Sequence, residues 1–330
     1  MMARAFWTVA PGRGELREEV LPPPAAGQLR LRMLASGISR GTERLVWRGG
    51  VPDSQRAAMR APLQGGDFPF PVKYGYAAVA RVEAEAAGGS EGWAGRRVFC
   101  LHPHQDRFNA PAALCVPVPE AVPDRRAVLG ANLETALNIA WDAAALPGER
   151  ILVIGAGVVG LLAAWLLARI PGTAVTVVDR DSARRAAAEA LGARFATPGE
   201  APEDQELLVH ASADPEGLRQ ALRCAAFEGR ILEASWYGDR PVSLPLGEAF
   251  HARRLTLRST QVGAVAPAMR GRRSHAERMA LALALLEDPA LDILAGPAVP
   301  FAALPARMGA LLDPAAGTPA PLCPVVTYEE

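Results

Sequence analysis

The glycine-rich stretch of residues 155–160 is the part of the sequence whose residue types and spacing point most directly to a chemistry. It has the pattern Gly155-x-Gly157-x-x-Gly160 and follows a short apolar run that is typical of a buried β-strand. Gly155 permits a tight turn, Gly157 lets the backbone approach a pyrophosphate, and Gly160 lets the next helix close on the sheet. The pattern therefore predicts a dinucleotide site at this turn.

Residues on either side of the turn extend the predicted site. The main-chain N–H groups of Val158 and Val159 open a helix, where they offer hydrogen bonds and a partial positive charge to phosphates. Asp179 ends the next apolar strand and is placed to accept both ribose hydroxyls of NAD. Arg180 could accommodate the 2′-phosphate of NADP, but the repulsion between Asp179 and that phosphate favours NAD. The expected cofactor is NAD, with NADP as the alternative.

The elements that position these residues change in character along the chain. Residues 1–127 contain short strand patterns separated by Gly and Pro turns, whereas helices and apolar strands alternate through residues 128–265. This alternation is typical of a parallel sheet covered by helices on both faces. The sequence therefore predicts an α/β protein with a Rossmann-type doubly wound parallel sheet and a separate β-rich domain.

Composition narrows the classes of function. Lys+Arg and Asp+Glu both number 35, and a net charge of zero argues against a nucleic-acid partner. The four cysteines form no Cys-x-x-Cys pair, and scattered thiols suit a reducing cytosol. The N-terminus lacks a signal-peptide pattern, and glycines divide the apolar run of residues 151–168 into two elements, so no membrane span is predicted. We expect a cytoplasmic protein with a small-molecule substrate and no membrane or nucleic-acid partner.

Three motifs outside the glycine turn suggest a family. They are residues 37–43 (Gly-Ile-Ser-Arg-Gly-Thr-Glu), residues 75–82 (Gly-Tyr-Ala-Ala-Val-Ala-Arg-Val) and residues 132–136 (Asn-Leu-Glu-Thr-Ala). With the glycine turn, they resemble the medium-chain dehydrogenase/reductase superfamily, which contains the alcohol and polyol dehydrogenases. This resemblance implies a GroES-like catalytic domain (residues 1–127 and 266–330), a Rossmann domain (residues 128–265) and NAD(P)-dependent interconversion of an alcohol and a carbonyl.

The sequence departs from the zinc-binding members of that superfamily. Where they carry Cys, His and Glu, this chain has Ser39, Tyr76 and Ala77, and neutral hydroxyls are poor zinc ligands. The segment that holds a structural zinc in many members has one cysteine, Cys100, instead of four. The comparison implies a zinc-lacking branch without a metal site. Residues 36–45 also resemble the bacteriochlorophyllide a dehydrogenases, which oxidise a hydroxyethyl substituent.

Without zinc, side chains must supply or remove the proton that accompanies hydride transfer. The resemblance places four residues near the chemistry. Thr42 matches a proton-relay hydroxyl, and Tyr76 could donate a hydrogen bond to a substrate oxygen. His102 falls at a wall of the substrate pocket, and Glu134 matches a carboxylate near the nicotinamide.

Several alternatives stay open at this point. Lys73 could lower the pKa of Tyr76, or Tyr76 could merely fill the space of the zinc. His102 and His104 could share a strand face, where they would form a structural pair or a metal pair. The protein could also be a catalytically idle nucleotide-binding relative that acts as a redox sensor or partner protein, or a quinone or enone reductase. Residues 255–263 resemble the edge strand through which relatives pair, which predicts a homodimer.

Overall fold

The computed structural model describes residues 1–86, 92–315 and 317–329, and the chain divides into two compact units. Unit 1 comprises Met1–Ala131 and Met279–Glu330, and unit 2 comprises Asn132–Arg278. The sequence predicts domain boundaries after residues 127 and 265. Both junctions of the structure lie later in the chain, after residues 131 and 278. In the part of the chain that is described, no helix is long and apolar enough to cross a membrane.

The chain passes through unit 1, then through unit 2, and returns to unit 1. In chain order the strands are β1 (Met2–Ala10), β2 (Arg13–Val20), β3 (Gln28–Gly37), β4 (Gly65–Gly66), β5 (Val72–Lys73), β6 (Ala78–Glu85), β7 (Arg97–Cys100), β8 (Arg107–Pro111), β9 (Cys115–Pro117), β10 (Arg150–Ile154), β11 (Ala174–Val178), β12 (Arg194–Ala196), β13 (Gln205–His210), β14 (Ala225–Glu233), β15 (Thr256–Ser259), β16 (Ala295–Pro300) and β17 (Cys323–Thr327). The α-helices are α1 (Arg40–Trp47), α2 (Asp124–Ala127), α3 (Gly130–Ala143), α4 (Val158–Leu167), α5 (Arg185–Ala190), α6 (Pro215–Cys224), α7 (His275–Leu285) and α8 (Leu304–Leu312).

Unit 1 is built on two sheets. One has the order β2-β1-β5-β4, and the other has the order β16-β17-β3-β6-β7-β9 with β8 paired to β3. Strand β3 lies in the middle of the second sheet. Its apolar side chains alternate inward, and Leu29, Leu31 and Met33 are buried in one cluster with Phe108. The polar and apolar alternation of residues 28–34 is typical of such a half-buried strand.

Unit 2 contains a six-stranded parallel sheet with the order β12-β11-β10-β13-β14-β15. Within the unit this is the order 3-2-1-4-5-6 of a Rossmann fold, and the strand order reverses between β10 and β13. The predicted α/β fold class is confirmed. Ligands of such sheets bind outside the carboxyl ends of the strands, near the reversal.

One predicted helix ends earlier than expected. The sequence predicts a helix over residues 218–227, but α6 ends at Cys224 and β14 begins at Ala225. Ala225 pairs with Gln205 of β13, so the sheet overrides the helix preference of the alanines. The β1–β2 hairpin and helix α1 are additional elements that the sequence patterns did not predict.

Candidate functional site

In the glycine turn of unit 2, the fold requires a glycine at positions 155 and 160 but not at position 157. A Cβ on Gly160 would lie 1.9 Å from the carbonyl oxygen of Gly155, and a Cβ on Gly155 would lie 2.8 Å from the nitrogen of Ser212. Gly155 also has a φ of +110°, which favours glycine. Gly157 is exposed and a Cβ there would meet no heavy atom within 4 Å. Gly157 therefore leaves a cradle of open space beside the start of α4.

The groups around this cradle suit an anionic dinucleotide. Val158 and Val159 form the first turn of α4, and Gly157 has no side chain to cap their N–H groups. The carboxylate of Asp179 accepts hydrogen bonds from the nitrogen of Ala156 at 2.7 Å and from the nitrogen of Asp181 at 2.9 Å. The predicted ribose acceptor therefore lies directly beside the turn.

Arg180 lies in a different setting from the other predicted cofactor residues. Its guanidinium is 3.1 Å from the carboxylate of Asp214, and its side chain is 80% exposed. An exposed ion pair of this kind holds a side chain weakly. Arg180 can therefore turn toward a phosphate at little cost, whereas the carboxylate of Asp179 is fixed by backbone hydrogen bonds.

In unit 1, three hydroxyl groups meet at the positions of the first two motifs. The phenol of Tyr76 hydrogen-bonds with the side chains of Ser39 and Thr42. Burial and the nearby charge of Glu43 raise the pKa of Tyr76 to about 12, and those two hydrogen bonds oppose the shift. Tyr76 is therefore a neutral phenol near neutral pH and can donate a hydrogen bond.

The expectation that Lys73 lowers the pKa of Tyr76 is wrong. The Nζ of Lys73 lies 2.7 Å from a carboxylate oxygen of Glu19 and 2.8 Å from Oε1 of Gln105. Its charge is engaged by these partners, and the pKa of Tyr76 moves upward instead of downward.

Behind the hydroxyl cluster lies a buried polar chain that the sequence did not reveal. His104 Nε2 is 3.1 Å from Glu43 Oε2, and His104 Nδ1 is 2.7 Å from Ser36 Oγ. Ser36 Oγ is in turn 2.8 Å from the hydroxyl of Tyr328. Glu43 also accepts a hydrogen bond from the nitrogen of Ser39 at 2.7 Å. The chain therefore links the Tyr76 cluster to the C-terminal segment.

His102 and His104 have separate environments, which contradicts a shared strand face. The ring of His102 stacks on Phe108 at 3.7 Å between centroids, and Nδ1 donates to the carbonyl of Pro103 at 2.9 Å. Burial lowers the pKa of His102 to about 3, so the ring is neutral. Of the two histidines, His104 is the one joined to a carboxylate.

Glu134 belongs to unit 2 and forms an internal ion pair. Its Oε1 accepts a hydrogen bond from Nε of Arg278 at 3.0 Å, and both side chains are buried. Burial raises the pKa of Glu134, and the charge of Arg278 opposes that shift. Arg278 also donates to Asn138 at 2.6 Å, so the pair ties helix α3 to the end of the unit.

The residues at the family's zinc positions do not fit zinc. Ser39 and Tyr76 offer neutral hydroxyls, and Ala77 offers no donor. Over the described ranges, no group of three or more His, Cys, Asp or Glu side chains could hold a metal ion. The thiol of the nearby Cys323 is buried, which raises its pKa to about 12. Ser39 and Tyr76 are therefore not assigned as metal ligands.

Comparison with known proteins agrees with this architecture. Residues 142–227 match the family described as alanine dehydrogenase/PNT, C-terminal domain. An uncharacterized zinc-type alcohol dehydrogenase-like protein of Haemophilus influenzae is 29% identical over 144 residues. That match covers 40% of this chain and 42% of the relative, so the chain matches less than half of the relative's length.

Solved structures match over nearly the whole chain. A short chain alcohol dehydrogenase of Escherichia coli complexed with NADH has a TM-score of 0.79 at 17% identity, covering 99% of each chain. A putative zinc-binding dehydrogenase of Sinorhizobium meliloti bound to NADP has a TM-score of 0.78 at 16% identity, also covering 99% of each chain. The 2R,3R-butanediol dehydrogenase of Bacillus subtilis has a TM-score of 0.77 at 14% identity, covering 99% of this chain and 100% of that one. The chain therefore has the same fold as these dehydrogenases.

Proposed function

We propose that the protein is an NAD(P)-dependent oxidoreductase that interconverts an alcohol and a carbonyl by hydride transfer. The observation that carries the proposal is the open cradle at Gly157, between two glycines that the fold requires. A glycine that no neighbour demands is explained by a ligand that approaches the backbone there. The structural relatives with bound NADH or NADP support the same cofactor class.

The cofactor, when bound, supplies or accepts the hydride. The cradle at Gly157 and the N–H groups of Val158 and Val159 would hold its pyrophosphate. Asp179 would accept the hydroxyls of the adenosine ribose, and its negative charge opposes a 2′-phosphate. We therefore propose NAD as the preferred cofactor, with NADP accommodated through Arg180.

We assign the transfer of the proton that accompanies the hydride to side chains and not to zinc. In carbonyl reduction, the phenol of Tyr76 donates a hydrogen bond to the substrate oxygen, and it passes its proton to that oxygen as hydride arrives. The hydroxyls of Thr42 and Ser39 position the phenol, and Thr42 is the group that would return a proton to it. His102 and Glu134 are assigned supporting roles, because one is a neutral stacked ring and the other is tied to Arg278.

Turnover, cofactor binding and metal content test this proposal together. Purified protein is mixed with NADH or NADPH and a panel of aldehydes and ketones, and NAD(P)H oxidation is followed. An aryl methyl ketone belongs in the panel, because residues 36–45 resemble enzymes that oxidise a hydroxyethyl group. Elemental analysis and activity after chelation accompany the assay. We expect turnover that survives chelation; stoichiometric zinc whose removal abolishes turnover would contradict zinc independence, and NADH binding without turnover on any panel member would favour an idle relative.

The same proposal includes a homodimer in a reducing compartment. Strand β15 lies at the edge of the parallel sheet, where its outer side can pair with a second copy. The four cysteines are free thiols and all are buried, which is compatible with a cytoplasmic location. Together these features support a cytoplasmic dimer.

A further inference from the structure

A second polar cluster lies in unit 2, at the carboxyl ends of β13 and β14. His210 is the last residue of β13 and pairs in register with Glu233, the last residue of β14. His210 Nε2 is 2.7 Å from Ser212 Oγ, and His210 Nδ1 is 2.8 Å from Glu233 Oε2. His210 is completely buried, whereas Ser212 is exposed. The three side chains therefore form a chain of hydroxyl, imidazole and carboxylate that ends at the surface.

The hydrogen bonds of this chain fix the direction of the Ser212 hydroxyl. A carboxylate only accepts, so Nδ1 of His210 carries a hydrogen, and in the tautomer with that hydrogen Nε2 is an acceptor. Ser212 then donates its hydrogen to Nε2, and its oxygen accepts from the nitrogen of Asp214 at 3.2 Å. The second lone pair of the Ser212 oxygen is left for another donor. Tyr237 keeps Glu233 in place, because its hydroxyl donates to Glu233 Oε2 at 3.1 Å.

The surrounding backbone is shaped around this chain. A Cβ on Gly217, in the first turn of α6, would lie 2.7 Å from Ser212 Oγ and 2.8 Å from His210 Nε2. The nitrogen of Ser212 also packs against Gly155, where a Cβ would come within 2.8 Å of it. Ser212 is therefore held between the glycine turn and α6, at the reversal of strand order between β10 and β13.

The position of this serine indicates which part of a ligand it faces. In a doubly wound sheet, one half binds each mononucleotide of a dinucleotide, and the ligand crosses the reversal of strand order. Asp179 follows β11, on the half that holds the adenosine ribose. Ser212 follows β13, on the opposite half. A hydroxyl acceptor in that place matches the second ribose of the dinucleotide.

We propose that Ser212 binds a hydroxyl of the nicotinamide-side ribose, and that His210 and Glu233 position its oxygen as the acceptor. This inference rests on the proposed cofactor. The ribose hydroxyl donates to Ser212 Oγ, whose own hydrogen is already committed to His210. Ser212 is the ligand-binding residue, and His210 and Glu233 are positioning residues.

Binding of three ligands distinguishes a contact between Ser212 and the second ribose from a general effect of the substitution on the fold. ADP lacks the second ribose, ADP-ribose contains it, and NADH adds the nicotinamide. We expect Ser212→Ala to weaken the Kd of ADP-ribose and of NADH by about 3- to 10-fold, which is the usual effect of one lost hydrogen bond, and to leave the Kd of ADP unchanged. Ser243→Ala is the matched control, because Ser243 is an exposed serine of the same unit. Calorimetry and thermal unfolding are measured for both variants.

Each outcome of this experiment has one meaning. Equal weakening of ADP and ADP-ribose would overturn the assignment to the second ribose, and unchanged affinity for all three ligands would overturn binding by Ser212. Failure of the wild-type protein to bind any of the three ligands would instead contradict the proposed cofactor. The selective loss of ADP-ribose and NADH affinity in Ser212→Ala, absent in Ser243→Ala, would support the proposal.

Discussion

His104 Nε2 lies 3.1 Å from the carboxylate of Glu43, and the two side chains are 1% and 5% exposed. A buried carboxylate is costly unless it is hydrogen-bonded, and here Glu43 is bonded to His104 and to the nitrogen of Ser39. Because helix α1 carries Glu43 and Thr42, this bond also fixes the helix that supports the Tyr76 cluster. The pair therefore connects the stability of unit 1 to its candidate chemistry.

The first prediction concerns Gly157. Gly157→Val should weaken the Kd of NADH by about 10-fold or more, because the new side chain would occupy the space that the pyrophosphate must enter. The fold should be unaffected, since a Cβ at this position meets no heavy atom within 4 Å. Gly199→Val is the matched control, because a Cβ on Gly199 is equally unhindered. Equal NADH affinity in Gly157→Val and wild type, measured by calorimetry, would refute the site.

The second prediction concerns the proton donor. Tyr76→Phe should lower kcat for carbonyl reduction by about 10²- to 10⁴-fold, the usual contribution of a general acid, while NADH affinity stays the same. The ring remains, so packing against Tyr74 is preserved. Steady-state kinetics with the best substrate of the panel measure the effect. A kcat within about 2-fold of wild type would show that Tyr76 only fills space.

The third prediction concerns alkaline pH. The sequence has four tyrosines, and burial raises the pKa of Tyr74, Tyr76, Tyr237 and Tyr328 above the ordinary value of 10.0. Above pH 10 the unfolded chain loses phenolic protons that the native chain keeps, so the free energy of unfolding should fall as pH rises from 10 toward 12. Phenolate absorbance of the native protein should stay low in this range until unfolding begins. A gradual rise near pH 10 in a folded sample would contradict the prediction.

The fourth prediction concerns acid pH. Burial lowers the pKa of His102 from 6.5 to about 3, so the unfolded chain binds a proton below pH 6.5 that the native chain does not bind. The contribution of this difference to the free energy of unfolding is fully present above pH 6.5 and is lost as pH falls toward 3. His102→Gln should therefore lose less free energy of unfolding than wild type between about pH 7 and about pH 4, although the loss of stacking on Phe108 lowers its stability at both. Urea unfolding at the two pH values measures the difference, and an equal loss in both proteins would exclude His102 as the source.

The fifth prediction concerns assembly. Because β15 is an edge strand of the parallel sheet, light scattering at micromolar concentration should give twice the chain mass of 34.8 kDa. Leu257→Pro should lower this mass toward that of one chain, since proline removes a backbone donor from the strand. A wild-type mass of one chain would contradict the dimer.

The sequence by itself determined the glycine turn of unit 2. The contact that makes Gly160 necessary is with Gly155, five residues earlier, and the strand before this turn and the helix after it are largely apolar runs. Local spacing carries this information because a turn and its flanking elements are made by neighbours in the chain. The parallel order of the sheet followed in the same way from the alternation of strands and helices.

Only the tertiary structure decided which polar side chains meet. His102 and His104 look alike in the sequence, yet one stacks on Phe108 and the other joins Glu43, which lies 61 residues away. The cluster of His210 and Glu233 arises from the register of two parallel strands 23 residues apart. Such partners lie far apart in the chain and are brought together by the packing of helices, loops and strands, which a local residue pattern does not specify.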